Sequence, residues 1–225
     1  MFRDFVTLLF PSICALCNEG LSRRENLICL KCLHQLPRYF QDLNQDEIYL
    51  HFIQSYHYEA FYAYLKYYKK GITQKLLHQI KYNRMPALGE KIGYLLGSEM
   101  KSSNPDLRID LVLPVPLHLL KKKRRGYNQS DYFARGISRA LQTKWSDREI
   151  VRIKNTDTQT HKSREERIEN VDGIFKVRHN QNLQNKHILL VDDVITTGAT
   201  LESCADTILR AADCKLSLAA MAIAK

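Results

Sequence analysis

The segment ILLVDDVITTGAT at positions 188–200 constrains the fold most strongly. Four consecutive apolar residues, Ile188 to Val191, describe a strand buried on both faces, and such strands belong to parallel sheets covered by helices. Asp192 and Asp193 follow at once, and TTGAT (196–200) then opens a helix. The first turn of a helix offers unpaired N–H groups and a partial positive charge, which suit an anion. Gly198 admits a close approach of that anion to the backbone, and the hydroxyls of Thr196, Thr197 and Thr200 add donors. Carboxylates only accept hydrogen bonds, so Asp192 and Asp193 match neighbouring sugar hydroxyls rather than phosphate. A ribose 5-phosphate fits the arrangement.

The rest of the chain supplies a sheet for this strand. Leu76, Leu77 and Ile80 recur at helical spacing, as do Ala87, Leu88, Ile92, Leu95 and Leu96 after Pro86. LVLPVP (111–116) reads as a short apolar strand, and Phe133, Ile137, Ala140 and Leu141 as the face of a helix begun by Asn128 with Asp131. HILLV (187–191) is a strand, Leu201, Ala205, Ile208 and Ala212 share a helix face, and LSLAAMAIA (216–224) is a last apolar strand. Alternation of apolar strands with helices predicts a doubly wound parallel α/β sheet from about residue 55 onward. Ligands of such sheets bind beyond the carboxyl ends of the strands, where Pro116 and Asp192 both fall. The polar stretch QDLNQDE (41–47) reads as a linker that separates a module at 1–50 from a domain at 51–225. The aromatic segment SYHYEAFYAYLKYY (55–68) reads as one or two strands in preference to a base-stacking platform.

A chain of 225 residues holds one full core and a small accessory module. With 44% apolar and 26% charged residues it is neither disordered nor a membrane protein by composition. The apolar run Phe5 to Phe10 is far short of the roughly 20 residues that span a bilayer, and no small-residue cleavage site follows it. We therefore expect a cytoplasmic protein with no membrane insertion. Residues 1–60 hold 5 basic and 7 acidic side chains and residues 61–225 hold 29 and 17, which points the larger part toward a polyanion. Lys121, Lys122, Lys123, Arg124 and Arg125 concentrate that charge just beyond the strand at 111–116. NTDTQTHKSREERIENVDG (155–173) has no apolar periodicity and reads as a lid over a site that must exclude water.

Thirteen positions, 188–200, resemble the phosphoribosyl pyrophosphate (PRPP) signature of type I phosphoribosyltransferases. The resemblance implies that Asp192 and Asp193 hold the ribose 2′- and 3′-hydroxyls, and that Thr196, Thr197, Gly198, Ala199 and Thr200 cradle the 5′-phosphate. The pyrophosphate end needs Mg²⁺ together with Lys or Arg, and Arg124 and Arg125 are the candidates. In order along the chain, LVLPVPL, RRGYNQS, the spaced set Thr156, Gln159, Arg164, Arg167, Asn170, Val171, Gly173 and Phe175, and VDDVITTGAT look like the ComF family of competence-associated phosphoribosyltransferase-like proteins. Lys162 departs from that family, where Leu is more usual. The resemblance implies handling of incoming single-stranded DNA in natural transformation, with a helicase partner. Lys121, Lys122 and Lys123 are candidates for contacts to nucleic-acid phosphates, and Tyr62, Tyr64 and Tyr127 for stacking on bases.

Cys14-x2-Cys17 and Cys29-x2-Cys32 form two knuckles that can supply four thiolates to one structural Zn²⁺. The module is expected to have a core of its own, separate from that of the larger domain, and to need the metal to fold. Cys204 and Cys214 read as small core residues, and His78, His118 and His187 as ordinary ones. Two classes of function stay open. One is an enzyme that transfers the phosphoribosyl group to an acceptor, with nucleobase salvage as a variant; the other is a non-catalytic sensor of PRPP or a nucleotide.

Overall fold

A computed structural model describes residues 12–39, 52, 58–154 and 173–224. The apolar run at the N-terminus, the linker at 41–47 and all of the lid except Gly173 lie outside these residues. The described elements are α1 (Leu30–Gln35), β1 (Phe61–Tyr67), α2 (Ile72–Tyr82), α3 (Pro86–Ser103), β2 (Leu111–Pro114), α4 (Leu119–Arg125) and α5 (Gln129–Leu141). They continue as β3 (Lys144–Trp145), β4 (Ile150–Arg152), β5 (Phe175–Val177), a 3₁₀ turn (Asn180–Asn182), β6 (His187–Ile195), α6 (Ala199–Ala211) and β7 (Lys215–Ala224). No helix among the described residues is long and apolar enough to cross a membrane.

Five parallel strands form the sheet, in the order β1-β7-β6-β2-β3. Side chains alternate across β6: Ile188 and Leu190 join the core that includes Leu201, Cys204, Ala205 and Ile208 of α6, whereas Leu189 and Val191 join the core of α2, α3 and α5. The sheet is thus covered on both faces, and the expected doubly wound architecture is observed. The hairpin of β4 with β5 contributes Ile150 and Phe175 to the α6 side. These three-residue strands and the two-residue β3 are too short to carry a sequence period, so the pattern of the sequence does not reveal them.

Helices α3 and α5 approach closely because glycines line their contact. A Cβ at Gly93 or Gly97 would run into the backbone of Phe133 or Ile137, and one at Gly136 into that of Glu90. Three differences from the expected elements concern the site. Strand β6 continues through both aspartates to Ile195, and helix α6 starts only at Ala199. The basic run is a short helix, α4, with no buried residue, capped by His118, whose Nδ1 accepts from the Leu120 N–H at 3.3 Å. Asn128 does precede α5, but its side chain donates to the Val115 carbonyl (3.0 Å) and to Asp131 (2.7 Å) instead of capping the helix, which ties α5 to the end of β2.

The cysteine module does not have a separate core. Cys14, Ala15, Leu16, Ile28, Cys29, Cys32 and Leu36 belong to the same apolar cluster as Leu76, Leu88, Ile92 and Val191. Lys91 of α3 reaches the Asn26 carbonyl at 2.6 Å, and Arg38 lies 3.5 Å over the Tyr64 ring while pairing with Glu99. The Tyr39 N–H donates to the Tyr64 carbonyl and the Lys66 N–H to the Pro37 carbonyl, so this segment also pairs with the outer edge of β1. The expectation of two cores fails because the module is too small to bury its apolar side chains by itself.

Candidate functional site

Beyond Val191 strand β6 loses its β2 neighbour but keeps β7, so Asp192 and Asp193 stand where the sheet opens. Asp193 is not at a solvent-accessible strand end, as its place in the motif suggests; it is 7% exposed. Its Oδ2 accepts from Gln129 Nε2 at 2.7 Å and pairs with Lys81 Nζ at 2.6 Å, and its Oδ1 accepts from the Val194 N–H at 2.7 Å. Asp192 Oδ1 accepts from Ser130 Oγ at 3.2 Å and from the Asp193 N–H at 2.8 Å. Arg152 of β4 lies within electrostatic reach of Asp192. Burial, followed by the charge of Asp193, pushes the Asp192 carboxyl up to about 7. For Asp193 burial acts in the same direction, but Lys81 and Gln129 outweigh it and hold the carboxyl below its ordinary range.

The loop between β6 and α6 has the form an anion site needs. Thr196 is exposed and Thr197 half-buried, and Gly198 occupies the N-cap of α6 at φ +88°, a conformation that favours glycine. Ala199 and Thr200 begin the helix, whose first N–H groups face the loop. Phe52 forms the floor: it is fully buried, stacks on Phe61 at 5.1 Å, and its Cζ would stand 2.8 Å from a Cβ at position 198.

The basic helix divides its charges. Lys122 bridges Asp131 (3.3 Å) and Asp147 (3.2 Å), so it anchors α4 to α5. Arg125 bonds Gln129, the residue that also donates to Asp193, and its guanidinium stands 5.7 Å from the Tyr82 ring centroid. Lys123 and Arg124 are exposed and Lys121 is half-buried. The structure therefore brings Arg125 to the aspartates and turns Lys122 to a structural task. Among the suggested stacking aromatics, Tyr64 is buried at 2% exposure and the Tyr127 hydroxyl donates to the Ile80 carbonyl. Tyr62 packs half-buried against the core. Tyr82, 64% exposed and next to Lys81, is an exposed aromatic beside the site among the described residues. Lys81, Gln129, Ser130, Phe52 and Tyr82 are absent from the sequence-derived site; RRGYNQS contains Gln129 and Ser130, but no local pattern points to the others.

The four knuckle cysteines come together with their Sγ atoms all within 4.8 Å of one another, and Cys17 and Cys29 are 3.7 Å apart. Tetrahedral zinc with Zn–S bonds of about 2.3 Å places sulfurs about 3.8 Å apart, so this donor set fits the ion. N–H groups of Leu16 and Cys29 point at Cys14 Sγ at 3.5 and 3.4 Å, and that of Cys32 at Cys29 Sγ at 3.4 Å. Burial acts to raise the Cys14 thiol, but these backbone donors prevail and bring it down to about 6. Cys204 is fully buried, as expected of a core residue, whereas Cys214 is only half-buried. His187 bonds Ser217 Oγ at 2.8 Å, and the His78 ring rests on Tyr82.

Residues 108–225 match the family model described as the phosphoribosyl transferase domain. The chain is 33% identical over 138 residues to the DNA utilization protein YhgH of Escherichia coli O157:H7, with 60% of each chain covered. It is 35% identical over 109 residues to competence protein F of Haemophilus influenzae, 48% of each. It is 33% identical over 105 residues to competence protein ComFC of Bacillus subtilis, covering 47% of this chain and 40% of that protein. The matches thus span about 60% or less of these relatives' own lengths. The chain belongs to the phosphoribosyl transferase domain family and, within it, to the ComF proteins.

Proposed function

We propose that this protein binds PRPP at the end of β6 and acts in DNA uptake by handling single-stranded DNA in the cytoplasm. The observation that carries the reading is the junction of two carboxylates, a Thr/Gly loop and a helix N-terminus, with Arg125 tied to the carboxylates through Gln129. In this reading Asp192 and Asp193 take the ribose hydroxyls, Thr196 to Thr200 the 5′-phosphate, and Arg124 and Arg125 the pyrophosphate with its Mg²⁺. Residues 1–50 carry a structural zinc on Cys14, Cys17, Cys29 and Cys32, and residues 51–225 the phosphoribosyl site. The names of the relatives, DNA utilization protein and competence protein, support the DNA part, as does the basic surplus beyond residue 60.

The single strand meets the protein along the exposed side of α4, at Lys121 and Lys123, and stacks a base on Tyr82. Phosphate contacts make affinity fall with salt, with a slope of about −0.7 per contact on a single strand, and stacking gives about 1–3 kcal/mol per base. Binding of a single-stranded oligonucleotide across a salt series tests this for the parent, for Lys121→Ala with Lys123→Ala, and for Tyr82→Ala. The double variant is expected to flatten the salt slope, and Tyr82→Ala to weaken single-strand binding at every salt concentration. Absence of binding at low salt contradicts direct DNA contact.

A further inference from the structure

Lys81 stands where the strand–loop–helix motif supplies no cation. It comes from the last turn of α2, its side chain is 23% exposed, and its Nζ lies 2.6 Å from Asp193 Oδ2. Asp193 has other donors: Gln129 Nε2 on the same oxygen and the Val194 N–H on the other, each at 2.7 Å. A buried ion pair seldom repays its desolvation as stability, so holding the fold together does not account for this lysine. Lys81 also feels the attraction of Asp192 and the repulsion of Arg125, and Arg152 approaches Asp192 from the hairpin. Lys81 thus pairs directly with Asp193, and Arg125, which bonds Gln129, and Arg152 add positive charge to the same end of β6. A surplus of positive charge at a half-buried site complements a ligand with several negative charges, and a lysine's flexible stem lets its ammonium change partners.

We propose that Lys81 is a ligand of the pyrophosphate group, resting on Asp193 in this structure and turning to the phosphates when ribose hydroxyls take over that carboxylate. The inference rests on the PRPP reading and adds α2 to the binding machinery.

Calorimetric titration of the full chain with PRPP, inorganic pyrophosphate and ribose 5-phosphate tests it. Lys81→Met is expected to weaken PRPP and pyrophosphate by roughly 10- to 100-fold, the range for a lost hydrogen bond between charged groups, and ribose 5-phosphate by no more than about threefold. Asp193→Asn keeps the acceptor for Val194 but releases the lysine, so it is expected to tighten pyrophosphate several-fold while weakening ribose 5-phosphate. That opposite sign is not expected of a merely structural pair, and it decides the matter should Lys81→Met fail to fold. Parent-like pyrophosphate affinity in Lys81→Met, or no tightening in Asp193→Asn, overturns the role of Lys81 while PRPP binding by the parent stands. A parent that binds no PRPP removes both the site and this inference.

Discussion

Asp192 holds a proton in the folded chain over a range where an open chain does not, because burial raises its carboxyl from 3.8 to about 7. Between those values the folded state binds the extra proton, so stability falls as pH rises through the window. The groups that face Asp192 are Asp193, held below its ordinary range by Lys81 and Gln129, Lys81, raised by the two aspartates against burial, Arg152, lowered by burial, and the Ser130 hydroxyl. The melting temperature is therefore expected to drop from pH 4 to pH 7, and Asp192→Asn to remove that part of the slope; equal slopes in the two proteins contradict the assignment. Gly198 gives a second prediction at this scale. Alanine there meets both the φ of +88° and the Phe52 ring, at a cost of about 1–3 kcal/mol measured by denaturant unfolding. The aspartates and the loop were legible in the sequence because they are contiguous. Lys81 and Phe52 were not, since they come from distant parts of the chain and only tertiary packing brings them to β6.

Helices with an apolar stripe, α2, α3, α5 and α6, were legible because residues three and four apart share a face. The stripe does not show how closely two helices pass. Gly93 and Gly97 of α3 against Gly136 of α5 bring the backbones into contact, and Gly136→Ala must push Glu90 and Tyr94 away. Overpacking of this kind costs typically 1–3 kcal/mol and sometimes more, read as a lower unfolding midpoint. Helix α4 could not be read as a helix from any stripe, since it buries nothing and is held by Lys122 on Asp131 and Asp147. Lys122→Ala is expected to speed amide exchange across residues 119–125 and leave α5 protected; unchanged exchange in α4 contradicts that anchoring role.

For the whole molecule, the knuckles and the sheet share one apolar cluster, a relation that cysteine spacing could not show because spacing reports the metal and not what the module packs against. Replacing Cys14 and Cys17 by Ser is accordingly expected to lower the thermal midpoint of the entire chain in a single transition. Two transitions, with the upper one where the parent melts, contradict the shared core. Doubly wound topology was legible from the order of apolar strands and helices, and it sets the β6–α6 junction at the carboxyl edge of the sheet, where the account places PRPP. Calorimetric titration of PRPP with Mg²⁺ into the parent and into the Asp192→Asn, Asp193→Asn double variant tests that claim most directly. Saturable binding by the parent is expected, with a loss of about 100-fold or more in a double variant whose circular dichroism is unchanged, as for two lost charged hydrogen-bonding partners. No binding by the parent, or equal affinity in a folded double variant, contradicts it.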